Sequence, residues 1–82
     1  MTDLKDTVSL MLSEDYQERF IAEYRQVKIR RDKLRMMVDR WDAGLLEFTP
    51  TCSRDIYGFQ LYVMDGYFDI LRRRAEIEGI EL

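Results

Sequence analysis

Between Phe20 and Trp41 the apolar side chains fall on one seam. Phe20, Tyr24, Val27, Leu34, Val38 and Trp41 follow spacings of four and three, with Arg31 in the same register. That period belongs to a helix packed along its length on another helix, not to a strand, whose faces alternate every second residue. No glycine or proline interrupts residues 14–42. The pattern predicts one helix over them, about 40 Å long at roughly 1.5 Å per residue. Gly44 follows, placed to end it in the left-handed conformation that glycine tolerates.

The flanking segments complete a hairpin. Residues 3–12 read as a short helix capped by Thr2, with Asp3 and Asp6 in its first turn and an apolar stripe of Leu4, Val8, Met11 and Leu12. Ser13 is placed to cap the long helix, with Glu14 and Asp15 behind it. Leu45, Leu46 and Phe48 are too apolar for a floating loop and are expected to fold back over the hairpin tip. Thr51 or Ser53 caps the last helix, 54–78, and Gly79 ends it before a short tail, Ile80–Leu82. This last helix carries two apolar stripes. One is Tyr57, Leu61, Met64, Phe68, Leu71 and Ala75; the other is Ile56, Phe59, Val63, Tyr67, Ile70 and Ile77. Two stripes require two partners: the preceding helix, and the N-terminal helix, a second chain, or both. The expectation is an all-α single domain over 1–82. A short N-terminal helix precedes a long antiparallel two-helix hairpin with coiled-coil-like packing. The chain is expected to form a homo-oligomer through Ile56, Phe59, Val63, Tyr67 and Ile70, all the more because 82 residues without a disulfide bury a modest core.

Chemistry-bearing residues are sparse. There is no histidine, and Cys52 is the only cysteine. Acid–base, cysteine-nucleophile and zinc chemistry therefore lack their usual groups. Cys52 reads as an inert, partly buried thiol. Asp65 and Asp69, one turn apart, read as solvated acids. No glycine-rich phosphate loop is present. An enzyme, a cofactor and a metal site are thus not expected. The net charge of −3 argues against sequence-specific DNA binding. No apolar run is long enough for a membrane span, and a lone cysteine fits a reducing cytoplasm.

The charge distribution says more than its total. Residues 25–40 hold Arg25, Lys28, Arg30, Arg31, Lys33, Arg35 and Arg40 against Asp32 and Asp39, and Arg72, Arg73 and Arg74 form a second basic run. Folding the hairpin sets that run beside Phe20–Glu23, so some of its arginines are expected to pair with Glu18 and Glu23. Arg31 interrupts the apolar seam. It either pairs with an acid across the hairpin, fixes the register of an oligomer, or faces an anionic ligand. Tyr24, Lys28, Arg31, Arg72 and Arg73 form the candidate ligand set, offering stacking and phosphate contacts.

With the hairpin in place, a family resemblance emerges. Glu23–Tyr24, Leu34 and the Trp41–Gly44 run WDAG, the turn FTPTC (Phe48–Cys52), and Gln60, Met64, Tyr67, Leu71 and Arg74–Gly79 carry it. Over residues 20–82 the chain resembles small phage and prophage helical-hairpin proteins named after an open reading frame of a crAss-like bacteriophage. The resemblance implies a phage or prophage source and a place in the host bacterial cytoplasm. The hairpin is also similar in shape to phage sponge proteins that oligomerise and sequester cyclic-nucleotide immune signals, an analogy of fold alone. Three readings follow: a counter-defence binder of a cyclic nucleotide, an inhibitor of a host defence protein such as a nuclease, and a structural or regulatory helical oligomer without a ligand.

Overall fold

The computed structural model describes residues 3–82. A single 3-10 turn, Leu4–Thr7, runs into a one-turn helix, α1 (Val8–Met11). The long helices α2 (Tyr16–Asp42) and α3 (Arg54–Glu78) pack against each other as an antiparallel hairpin. The molecule measures 43 × 24 × 19 Å. The all-α hairpin expected from the periodicity is present.

The helix starts differ from the sequence expectation. Thr2 lies outside the described residues. Asp3 is the first cap: its carboxylate accepts from the Leu4 N–H at 2.8 Å, and its own N–H donates to Asp6 Oδ2 at 2.8 Å. Ser13 does not cap α2. Its hydroxyl oxygen accepts from the Asp15 N–H at 3.0 Å, and Asp15 accepts from the Gln17 N–H at 2.9 Å. A charged cap at the positive helix end wins over a neutral one two residues earlier, so α2 begins at Tyr16 and not at residue 14. Ser53 caps α3, accepting from the Ile56 N–H.

The N-terminal segment lies on α2 and not on α3. Thr7, 1% exposed, anchors it: its hydroxyl donates to the Leu4 carbonyl at 2.7 Å and accepts from Gln26 Nε2 at 2.9 Å. Lys33 reaches Asp3 at 3.2 Å. Gln26 and Lys33 project from the side of α2 turned away from the seam. The result is three layers with α2 in the middle. The expected stripe of this segment stays largely in solvent at Val8, Met11 and Leu12, because a polar residue makes the buried contact.

The core sits between α2 and α3. Phe20, Val27, Phe68, Leu71, Ala75 and Ile80 form one cluster, with Ile21 and Tyr24 packed against it, and Val38 and Leu61 are buried nearer the tip. Ile80 belongs to the core and not to a tail. Gly79 takes φ 71°, the Ile80 N–H bonds the Ala75 carbonyl at 2.8 Å, and the side chain turns back onto α3 at 6% exposure.

At the tip, Gly44 takes φ 74° after α2. Asp42 accepts two parallel hydrogen bonds from Arg54, at 2.8 and 2.9 Å. The expected fold-back of the tip is only partial: Leu46 is half-buried, but Leu45 and Phe48 are exposed. Trp41 and Tyr57, ring centroids 5.9 Å apart in an edge-on contact, already close the end of the seam.

Two outcomes test this account. Leu71 is 0% exposed, so Leu71→Ala should lower unfolding stability by about 2–5 kcal/mol in urea titration, through lost burial and an unfilled cavity. The hydrogen bonds from Arg54 hold the Asp42 carboxyl below its ordinary pKa. A depressed folded pKa adds stability above the unfolded value of about 4 that is lost on acidification through the folded value. The gap in melting temperature between wild type and Asp42→Asn should therefore be present at neutral pH and close below about pH 4.

Candidate functional site

Phe68 organises the middle of the hairpin. Tyr24 of α2 stacks on its ring, centroids 5.0 Å apart at 25°. The guanidinium groups of Arg31 and Arg72 lie 4.8 and 5.7 Å from the ring centroid. Three of the five candidate ligand residues thus gather around one buried ring, an arrangement favoured by the negative potential of aromatic faces.

Of the three destinations open to Arg31, the structure selects the acid across the hairpin. Its Nε donates to Asp65 of α3, and Asp32 lies 3.5 Å from another of its nitrogens. Arg35 reaches the second Asp65 oxygen at 3.1 Å. Asp65 is therefore not a solvated acid paired with Asp69; it joins α3 to two arginines of α2. Asp69 stands 3.9 Å from Arg72. Arg31 lines neither of the two grooves that Leu82 borders.

The remaining candidates divide between two neighbouring grooves. One, about 420 Å³, is lined by Tyr24, Arg25, Lys28, Ile29, Asp32, Lys33 and Leu82. The other, about 530 Å³, is lined by Asp69, Arg72, Arg73, Ala75, Glu76, Ile80 and Leu82. Leu82 borders both. Arg25 and Lys33, named above only as part of the basic run, and Leu82 were outside the candidate set. Arg25 and Lys28 sit three apart on one helix face, a signal that was available; the return of the C-terminus after Gly79 was not. Lys28 lies 3.4 Å from Asp32, a contact between exposed side chains of the kind that contributes little. Arg25 and Arg73 have no acid within ion-pair distance among the described residues.

The expected pairing of Arg72–Arg74 with Glu18 and Glu23 is absent among the described residues. Arg74 lies over the Phe20 ring at 5.0 Å, donates to the Tyr16 hydroxyl at 3.0 Å and reaches Glu78 at 3.4 Å. Glu23 instead accepts from the Tyr67 hydroxyl. That hydrogen bond, with burial and the Glu23 charge, raises the Tyr67 pKa above its ordinary value. Cys52 is exposed, not partly buried.

The second stripe of α3 is in solvent. Ile56, Phe59, Val63, Tyr67 and Ile70 are all exposed, from 42% at Tyr67 to 75% at the neighbouring Tyr62, and Ile77 reaches 84%. Because the N-terminal segment packs on α2, it does not supply the second partner that this stripe requires.

Among the described residues, no helix is long and apolar enough to cross a membrane, and no three His, Cys, Asp or Glu side chains gather as a metal site. Fold and grooves define a class: a small helical hairpin with two surface grooves, one of them cationic and bordered by Tyr24, and an open apolar face. The chain belongs to the Sequestin family, whose model matches residues 14–77. The match omits the N-terminal segment and residues 78–82, and covers α2, the turn and α3 up to Ile77. The family name is consistent with a sequestering binder. No curated protein and no solved structure matches the chain.

The Arg31–Asp65 contact crosses the hairpin from a partly exposed site. A double-mutant cycle of Arg31→Ala and Asp65→Ala, read by urea unfolding, should return a coupling energy of about 0.5–1 kcal/mol, near the upper end for such pairs.

Proposed function

We propose that this chain is a non-enzymatic sequestering protein that captures an anionic nucleotide, in particular a cyclic-nucleotide immune signal. On this reading it is a phage or prophage product that blunts a host defence from within the bacterial cytoplasm and works as a homo-oligomer. The observation that carries the reading is the groove that brings Tyr24 together with Arg25 and Lys28. A nucleotide needs a flat apolar surface for its base and fixed cations for its phosphate. The groove offers Tyr24 for the first. For the second it offers Arg25, which has no acid partner among the described residues, and Lys28, whose pairing with Asp32 is solvent-screened. Arg72 and Arg73 line the adjoining groove across Leu82, where Asp69 and Glu76 offset their charge and Arg73 alone of the two has no acid partner among the described residues. The family name agrees with capture in place of turnover. The absence of histidine from the sequence removes the commonest acid–base group.

A second reading, inhibition of a host defence protein such as a nuclease, has one specific observation in its favour, the exposed apolar face of α3.

Calorimetric titration with a panel of cyclic di- and trinucleotides tests the first reading. Wild type should bind at least one, with affinity falling as salt rises. Arg25→Ala and Lys28→Ala should each weaken binding by about tenfold or more, the loss of one charge-assisted hydrogen bond. Arg31→Ala should lower the melting temperature more than the affinity, because Asp65 already occupies that side chain. Absence of both heat and thermal shift across the panel would sink the reading.

A further inference from the structure

The exposed face of α3 has an internal order. Its β-branched residues recur every seventh position, at Ile56, Val63, Ile70 and Ile77. Phe59, Gly66 and Arg73 occupy the positions three residues after the first three of these. This is a heptad seam, the pattern of a helix that packs along its length against another helix. The α2 neighbour is taken by the other stripe, and the N-terminal segment lies on the far side of α2.

Gly66 is the informative position. It stands near the middle of the seam, in the interior of a 25-residue helix, where glycine is among the poorest helix formers. A Cβ there would meet nothing within 4 Å. The fold of the single chain therefore gives no reason for a glycine. A second backbone approaching that point does, since a glycine lets two helices come close where a side chain would hold them apart.

We infer that α3 pairs antiparallel with α3 of a second copy of this chain, with the two-fold axis beside Val63 and Gly66. A two-fold axis there makes the seam complementary to itself. Val63 packs over Gly66 of the partner subunit, and Phe59 packs against the turn of the partner subunit that holds Ile70 and Arg73. A parallel pairing would set Arg73 against Arg73, two like charges in an apolar seam. The antiparallel one sets Arg73, which has no acid partner among the described residues, near an aromatic ring. Ile56, Phe59, Val63, Ile70 and Ile77 of the seam, with the adjoining Tyr62, are each about half exposed or more; they offer about 600 Å² per copy, hence about 1,200 Å² in all, the lower bound of specific stable interfaces. The pairing rests on and deepens the homo-oligomer part of the proposed function, and it forms without nucleotide. It also brings Phe59 of the partner subunit towards Arg73, at the rim of the Arg72–Arg73 groove.

Cys52 is a single, exposed, native attachment point just ahead of α3. Sedimentation equilibrium at about 100 µM, above the micromolar dissociation constants of small interfaces, should give the mass of a dimer or a multiple of it. Pulsed dipolar spectroscopy with a nitroxide on Cys52 should give a separation of about 40 Å, set by roughly 25 helical residues at 1.5 Å each. Ile70→Glu, at an exposed position that leaves the monomer's circular dichroism and melting intact, should weaken self-association by about tenfold or more. A monomer at that concentration would overturn the inference. So would a Cys52 separation under about 20 Å, the signature of parallel helices, or an oligomer indifferent to Ile70→Glu. Each of these readouts is taken without nucleotide, so failure here and failure of nucleotide capture are separate results.

Discussion

Phe68 holds this molecule together at the point where its core and its surface meet. The ring is buried in the α2–α3 seam, yet it is also the platform on which Tyr24 stacks and above which Arg31 and Arg72 lie. Aromatic faces attract guanidinium groups, and the attraction strengthens as water is excluded. The ring thus lets an arginine occupy a seam position without an isolated buried charge. Asp65 completes the arrangement by neutralising Arg31 from the opposite helix. Burial of apolar surface drives the two helices together, and this polar cluster at mid-length specifies how they align.

That alignment determines which charged side chains remain at the surface. Arg31 is consumed by Asp65, whereas other cations at the margin of the seam reach the surface. Arg25 and Lys28 border one groove and Arg72 and Arg73 the next, and the returning C-terminus forms the wall they share. The C-terminus returns because Gly79 adopts a left-handed conformation and Ile80 is pulled into the core. A single glycine near the end of the chain therefore shapes both grooves. The N-terminal segment acts on the opposite side of α2, tied by Thr7–Gln26 and Asp3–Lys33, and leaves the outer face of α3 uncovered.

Much of the hairpin was legible in the residues. The four-and-three spacing from Phe20 to Trp41, the glycines at positions 44 and 79 and the double stripe of α3 correspond to helices, turns and faces that the structure contains. Local backbone chemistry and helical periodicity act over a few residues, so they can be read in order along the chain. The starts of α1 and α2 were less legible, because Ser, Thr and Asp compete for the same orphan N–H groups and only the folded geometry decides among them. At the tip, Leu45 and Phe48 were expected inside, yet the end of the seam is closed by Trp41 and Tyr57, and both side chains stay exposed.

The sequence by itself determined that this chain is two long helices back to back, and that one of them has more apolar surface than a single partner covers. Periodicity dictates both, since a face is a property of one helix alone. Which charges stay free was decided only by the tertiary structure. Arg31 meets Asp65 and Glu23 meets Tyr67 across 34 and 44 residues of chain. An arginine in a seam is equally ready for a carboxylate, an aromatic ring or a phosphate. The choice depends on which group another helix presents at that height, and no local pattern encodes it.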